Sequence, residues 1–170
     1  MRRFKRPKNL GARLNAVIES LSKVPVLERK KIADIGSDHG YVPIFAYFYG
    51  IIESAIAVDI ASGPLAITIK HVKKYGLESK IEARLGDGLA PLLPNEAGTA
   101  IISGMGGIEI CRIIADAKTN YLILQPQRDF EKTINALENL NYCIEEISET
   151  REKEKVYKII RARILENNLI

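Results

Sequence analysis

The 170-residue sequence has no tryptophan, two cysteines, two histidines and only 6% aromatic residues. Cys111 and Cys143 stand alone, each in an apolar setting and without the short spacing of a metal-binding pair. Buried, reduced thiols are therefore expected. His39 and His71 are equally isolated along the chain and form no ligand cluster, which argues against a structural or catalytic metal. No apolar run approaches the roughly 20 residues needed to cross a bilayer. The basic start runs into the polar-punctuated NLGARLNAV instead of the apolar core of a signal peptide. A cytoplasmic protein without membrane association is expected.

Hydrophobic residues make up 46% of the chain, enough for one domain with a full core. The formal net charge of +4 is unevenly spread. The opening MRRFKRPK carries Arg2, Arg3, Lys5, Arg6 and Lys8 with no acid. Residues 1–8 read as a basic arm suited to a phosphate-rich partner, or as a solubilising terminus, ahead of a single domain over residues 9–170.

Along that domain the hydrophobic period alternates. Leu10, Leu14, Val17, Ile18 and Leu21 recur at helical spacing, with Asn9 as a candidate cap and Pro25 beyond the end. KIADIG reads as a buried strand, and YVPIFAYFYG as a helix pressed on a sheet and closed by Gly50. Strand SAIAVDI precedes helix GPLAITIKHVKKYG, with Leu65, Ile69 and Val72 on its inner face, and strand KIEARLG follows. The second half repeats the pattern: GTAIISG, GIEICRIIADA, NYLILQP and DFEKTINALENL. It ends in YCIEEISE and KVYKIIRARI, joined by the charged TREKE in the manner of a hairpin. Five β-α alternations predict an α/β domain, a mostly parallel sheet with helices on both faces. The C-terminal β-hairpin brings the count to seven strands, at least one of them antiparallel.

Ligands of such sheets sit beyond the carboxyl ends of the strands, where strand order reverses. The first strand ends in DIGSDHGY, residues 34–41, where Gly36 and Gly40 let backbone approach a ligand closely. A dinucleotide site wants G-x-G-x-x-G, but the middle glycine position is Asp38, and acids repel a pyrophosphate. Asp34 and Asp38 fit a ligand carrying positive charge, such as the ammonium and sulfonium of S-adenosylmethionine. The second strand ends in Asp59, placed to accept hydrogen bonds from both ribose hydroxyls, with Ser62 left to cap the next helix. The third ends in Gly86-Asp87-Gly88-Leu89. Asp87 stands where an adenine amine would lie, and Leu89 is available to cover the ring. Ser103-Gly104-Met105-Gly106-Gly107 ends the fourth strand and leaves backbone groups open beside the methyl donor. Each turn has a plainer reading as a strand-to-helix connection. Acids at the ends of three successive strands favour the cofactor.

These residues resemble a known family, the bacterial tRNA adenine-N1 methyltransferases that modify adenine 22. They are a branch of the class I S-adenosylmethionine-dependent Rossmann-like enzymes. The likeness rests on DIGSDHGYVP (34–43), GDGL (86–89), GMGG (104–107), LQP (124–126) and the early pair Arg13-Leu14, and it covers most of residues 9–163. It implies a cofactor site from Gly36, Ser37, Asp59, Ile60, Asp87, Gly88, Gly104 and Met105, to which the strand-end reading adds Asp34, Leu89 and Ser103. A base pocket is implied near Arg13, Asp38, His39, Tyr41, Gly106 and Gly107, with tRNA as the partner. Two features depart from the family. Its members usually continue into a C-terminal helical domain, whereas this sequence stops at Ile170, and its opening arm is unusually basic. The expectation is a truncated chain, or one whose arm and Arg161/Arg163 end take over substrate holding.

In the implied chemistry, N1 of an extruded adenine attacks the methyl without prior deprotonation. The candidate catalytic residues are Asp38, as acceptor for the adenine amine, and Tyr41, as a stacking or hydrogen-bonding wall or else a helix-start residue packed on the core. His39 is a turn residue or substrate contact, and Arg13 a phosphate ligand or a solvated helix residue. Two other readings remain: a class I methyltransferase for a different acceptor, and a catalytically silent RNA-binding module.

Overall fold

The computed structural model describes residues 10–165. The basic arm and the Asn9 cap lie outside them. Helix α1 (Ala12–Ser22) begins after Gly11, and a short α2 (Val26–Arg29) leads into β1 (Lys31–Ile35). A single 3₁₀ turn over Asp38–Gly40 opens into α3 (Tyr41–Phe48). Then follow β2 (Ser54–Asp59), α4 (Ser62–Lys74), β3 (Ile81–Leu85), β4 (Thr99–Met105) and α5 (Gly107–Ile114). The chain continues through β5 (Tyr121–Pro126), α6 (Phe130–Asn139), β6 (Tyr142–Glu152) and β7 (Lys155–Ile164).

The seven strands, the number that the alternation and the hairpin predict, form one sheet in the order β3-β2-β1-β4-β5-β7-β6. Strands β1 to β5 pair in parallel, and β7 runs antiparallel to both β5 and β6. The central strands are buried on both sides, and alternate residues serve opposite layers. Ile32, Ile101 and Ile123 face the cluster built with α1 and α3. Ala33, Ile102 and Leu124 face the cluster built with α5 and α6. From β1 the chain crosses to β2 on one side and later to β4 on the other. The order therefore reverses between β1 and β4, and a crevice opens at their carboxyl ends.

Four local expectations change. The inner face of α4 is Leu65, Thr68 and Val72, whereas Ile69 is 37% exposed. Thr68 lies against the 3₁₀ turn, where its Cγ2 is 2.9 Å from the point a side chain on Gly40 would occupy. A bulkier residue there would push α4 off the turn. Cys143 is exposed and Cys111 half-buried, so neither is the sequestered thiol expected. Cys143 sits on β6, an edge strand whose burial alternates. The hairpin is tighter than its charged linker suggested: Thr150, Arg151 and Glu152 belong to β6, leaving a turn at Lys153 and Glu154. Ser62 is not a cap but the first residue of α4, as described below.

Candidate functional site

The turn after β1 is tied to the neighbouring strand. The amides of Gly36 and Ser37 both donate to the Val58 carbonyl, at 2.8 and 3.0 Å. Gly36 has φ +68°, and a side chain there would run into the Met105 methyl. The positive φ is what favours glycine here, since the Met105 methyl ends a flexible side chain that can swing aside. Ser37 Oγ donates to Asp34 Oδ2 at 2.6 Å. Asp34 is 4% exposed. Burial pushes its pKa up to about 7; the Ser37 hydrogen bond opposes the rise and the nearby Asp59 adds to it.

Asp59, at the end of β2, is 7% exposed. Its Oδ1 accepts the Ala61 amide at 2.9 Å, so this carboxylate braces the entry to α4, the duty assigned from sequence to Ser62. The helix starts one residue earlier than expected, on an Ala61 N-cap without a side-chain bond. One Asp59 oxygen remains for a ligand.

At the ends of β4 and β5 the guanidinium of Arg13 turns inward. Its Nη1 donates to Ser103 Oγ (2.9 Å) and to Gln125 Oε1 (3.1 Å), and it lies 5.9 Å from the Tyr157 ring centroid. Arg13 is neither a free phosphate ligand nor a solvated helix residue. It links α1 to the strand ends and abuts Gly104, whose φ is +83°. Gln125 is fully buried and contributes this anchor, which the sequence reading missed. The signal was available: a glutamine closes an otherwise apolar strand, and such a group needs a partner.

Arg13, Asp34, Gly36, Ser37, Asp38, His39, Tyr41, Asp59, Ile60, Ser103, Gly104 and Met105 line one cavity of about 600 Å³, together with Leu14, Val42 and Gln127. The volume suits a nucleoside-sized ligand. Its carboxylates outnumber its single cation, which is already engaged. Within it His39 Nε2 lies 3.3 Å from Asp38 Oδ1, and the Asp38 side chain is 68% exposed.

Asp87, Gly88 and Leu89 line a neighbouring cavity of about 420 Å³ instead. Asp87 is held by Arg112, whose hydrogen bonds keep its carboxyl below the usual range. The strand-end carboxylates therefore converge from β1 and β2, while that of β3 is turned to α5. Strand β3 forms the sheet edge, beyond β2, and its loop falls within reach of Arg112. Gly106 and Gly107 also lie outside the lining of the larger cavity. A side chain on Gly107 would come within 2.5 Å of the Asp129 carbonyl oxygen and 2.7 Å of that of Arg128. Close packing of α5 on the β5–α6 loop accounts for this glycine. Among the described residues no group of three or more His, Cys, Asp or Glu is placed to hold a metal ion.

A curated relative from Bacillus subtilis (strain 168), tRNA (adenine(22)-N(1))-methyltransferase, is 39% identical over 122 residues, covering 69% of this chain and 49% of the relative. The chain thus spans about half the length of that relative. The crystal structure of the B. subtilis M1A22 tRNA methyltransferase TrmK superposes with a TM-score of 0.84 at 32% identity, covering 92% of this chain and 67% of that one. Streptococcus pneumoniae Sp1610, a putative tRNA (m1A22) methyltransferase solved in complex with S-adenosyl-L-methionine, gives 0.82 at 32% identity, covering 93% and 74%. A family model described as a methyltransferase domain matches residues 10–160, nearly the whole described chain, and the protein belongs to that family.

Proposed function

We propose that this chain transfers a methyl group from S-adenosylmethionine to N1 of an adenine in tRNA, adenine 22 by its likeness to the relatives above. The observation that carries the reading is the cavity at the β1/β4 switch point, where Asp34, Asp38 and Asp59 converge without a phosphate-binding turn. Acidic lining suits a cationic nucleoside and disfavours a pyrophosphate. The free oxygen of Asp59 would take ribose hydroxyls, and the buried Asp34–Ser37 pair would face the positive end of the donor. Gly36 and Met105 would form the narrow floor.

The donor supplies a methyl already activated by its sulfonium, so no acid is needed at the leaving group. The protein's part is alignment and exclusion of water. Asp38, at the exposed lip, would accept the adenine amine and stabilise the charge that develops on the purine. Tyr41 would pack against the extruded base. Arg13, locked onto Ser103 and Gln125, would hold the Gly104 turn open to the acceptor. The basic arm of residues 1–8 would add salt-dependent affinity for the tRNA backbone. The reading places the protein in the cytoplasm; no described helix is long and apolar enough to cross a membrane.

The test is incubation of unmodified tRNA with methyl-labelled donor, followed by digestion and mapping of the modified nucleoside. Label in N1-methyladenosine at position 22 supports the proposal. Label at another position or in a protein indicates a different acceptor, and donor binding without transfer a silent module.

A further inference from the structure

Three aromatic rings meet at the lip of the cavity, and one comes from a residue with no role in the chemistry above. His39, Tyr41 and His71 lie with centroids 5.3–5.7 Å apart and planes within 9–24° of parallel. His39 and Tyr41 line the cavity, whereas His71, on α4, stands just outside it. The group is built into the backbone. His39 takes φ +68°, a left-handed conformation that is uncommon for a non-glycine residue, and Gly40 follows at +70°. The Nδ1–H of His71 donates to the His39 carbonyl at 2.8 Å and braces that turn. The His39 side chain remains 40% exposed.

The helix carrying His71 is one-sided in charge. Helix α4 contains Lys70, Lys73 and Lys74 and no acidic residue. Ile67, Lys70, His71 and Lys74 fall on one face by their spacing of three and four. Lys70 and Lys74 are exposed, and so is Ile67 at 38%. Flat rings beside a basic, apolar-edged stripe are what a single-stranded nucleic acid requires: stacking surfaces for bases and cations along the backbone.

We infer that His71, with His39 and Tyr41, forms a second base-stacking site, taking an unpaired nucleotide next to the target adenosine as the RNA leaves the cavity along α4. The assignment rests on the tRNA reading above and specifies the path of the strand. His71 acts on substrate binding and not on the donor.

The experiment compares His71→Ala, His71→Phe and His71→Asn in steady-state tRNA methylation, with donor affinity measured by calorimetry. Phe keeps a ring and loses the bond to the His39 carbonyl; Asn keeps a donor and loses the ring. The inference expects His71→Ala and His71→Asn to raise KM for tRNA about tenfold, with donor Kd unchanged and His71→Phe close to wild type. Charge reversal of Lys70 and Lys74 together, both on the surface, is expected to raise the same KM, most at low salt, with the gap from wild type narrowing as salt rises. Rescue by Asn but not Phe would show a turn brace and overturn the stacking site. An unchanged KM in the His71→Ala variant, or in the charge-reversed one, would do the same. Failure of the wild-type protein to methylate any tRNA is a separate result: it rejects the function, and this assignment with it.

Discussion

The guanidinium of Arg112 straddles the carboxylate of Asp87, with Nη2 2.6 Å from Oδ1 and Nη1 3.0 Å from Oδ2. The same Nη2 reaches Glu109 Oε1 at 2.7 Å, three residues earlier on α5. Arg112 thus keeps an anionic partner on its own helix if Asp87 is drawn away. If the donor's adenine amine takes Asp87, as the strand-end reading expects, it must compete with this clasp.

Replacing Arg112 with alanine leaves the Asp87 carboxylate free. Both side chains are about half exposed, at 50% and 49%, so the pair is weakly held and the effect is small. Donor affinity by calorimetry should improve by a few-fold. A loss of affinity would show instead that Arg112 helps to form the site.

Asp34 makes the ligand-free protein sensitive to pH. Its folded-state pKa, about 7, lies above the ordinary value of 3.8, so between these values the folded protein holds a proton that the unfolded chain releases. Stability is therefore full below about pH 4 and falls as pH rises through 7. The total is on the order of 4 kcal/mol, at roughly 1.4 kcal/mol per pKa unit. Asp34→Asn cannot ionise and should flatten this slope. Melting curves at pH 8 should place the variant several degrees above wild type, with the gap closing towards pH 4. Parallel curves at all pH values would mean that Asp34 is not the source.

Gly107 and Gly63 separate two uses of glycine. Alanine at 107 would press on the carbonyl oxygens of Asp129 and Arg128, at 2.5 and 2.7 Å, and force α5 from the β5–α6 loop. A cost of about 1–3 kcal/mol follows for such overpacking. Alanine at 63, within α4, meets nothing within 4 Å and should stabilise by about 0.4–1 kcal/mol through the unfolded chain. Urea unfolding of the two variants checks the contrast, which equal midpoints would contradict.

The alternation of apolar strands and amphipathic helices was legible because each element's period depends on residues within a few positions of one another. Contacts across elements were not. The pairing of Asp87 with Arg112 depends on where α5 lies beneath the β3 loop, and GDGL by itself gives no sign of it. His39 and His71 appeared unrelated along the chain, yet packing of α4 on the 3₁₀ turn brings their rings to 5.7 Å. Thr68, buried against the 3₁₀ turn, stands on the inner face of α4 where Ile69 was expected, a contact between two segments that helical spacing alone does not show. Arg13 read as exposed because its partners, Ser103 and Gln125, come from two distant strands.

The central claim is that the acidic crevice between β1 and β4 receives a cationic adenosyl donor. Titration of the protein with S-adenosylmethionine in a calorimeter measures it directly. The account expects one donor bound per chain, with affinity falling at least tenfold in Asp59→Ala while the fold is retained. No binding to the wild-type protein, or equal binding to the variant, would contradict it.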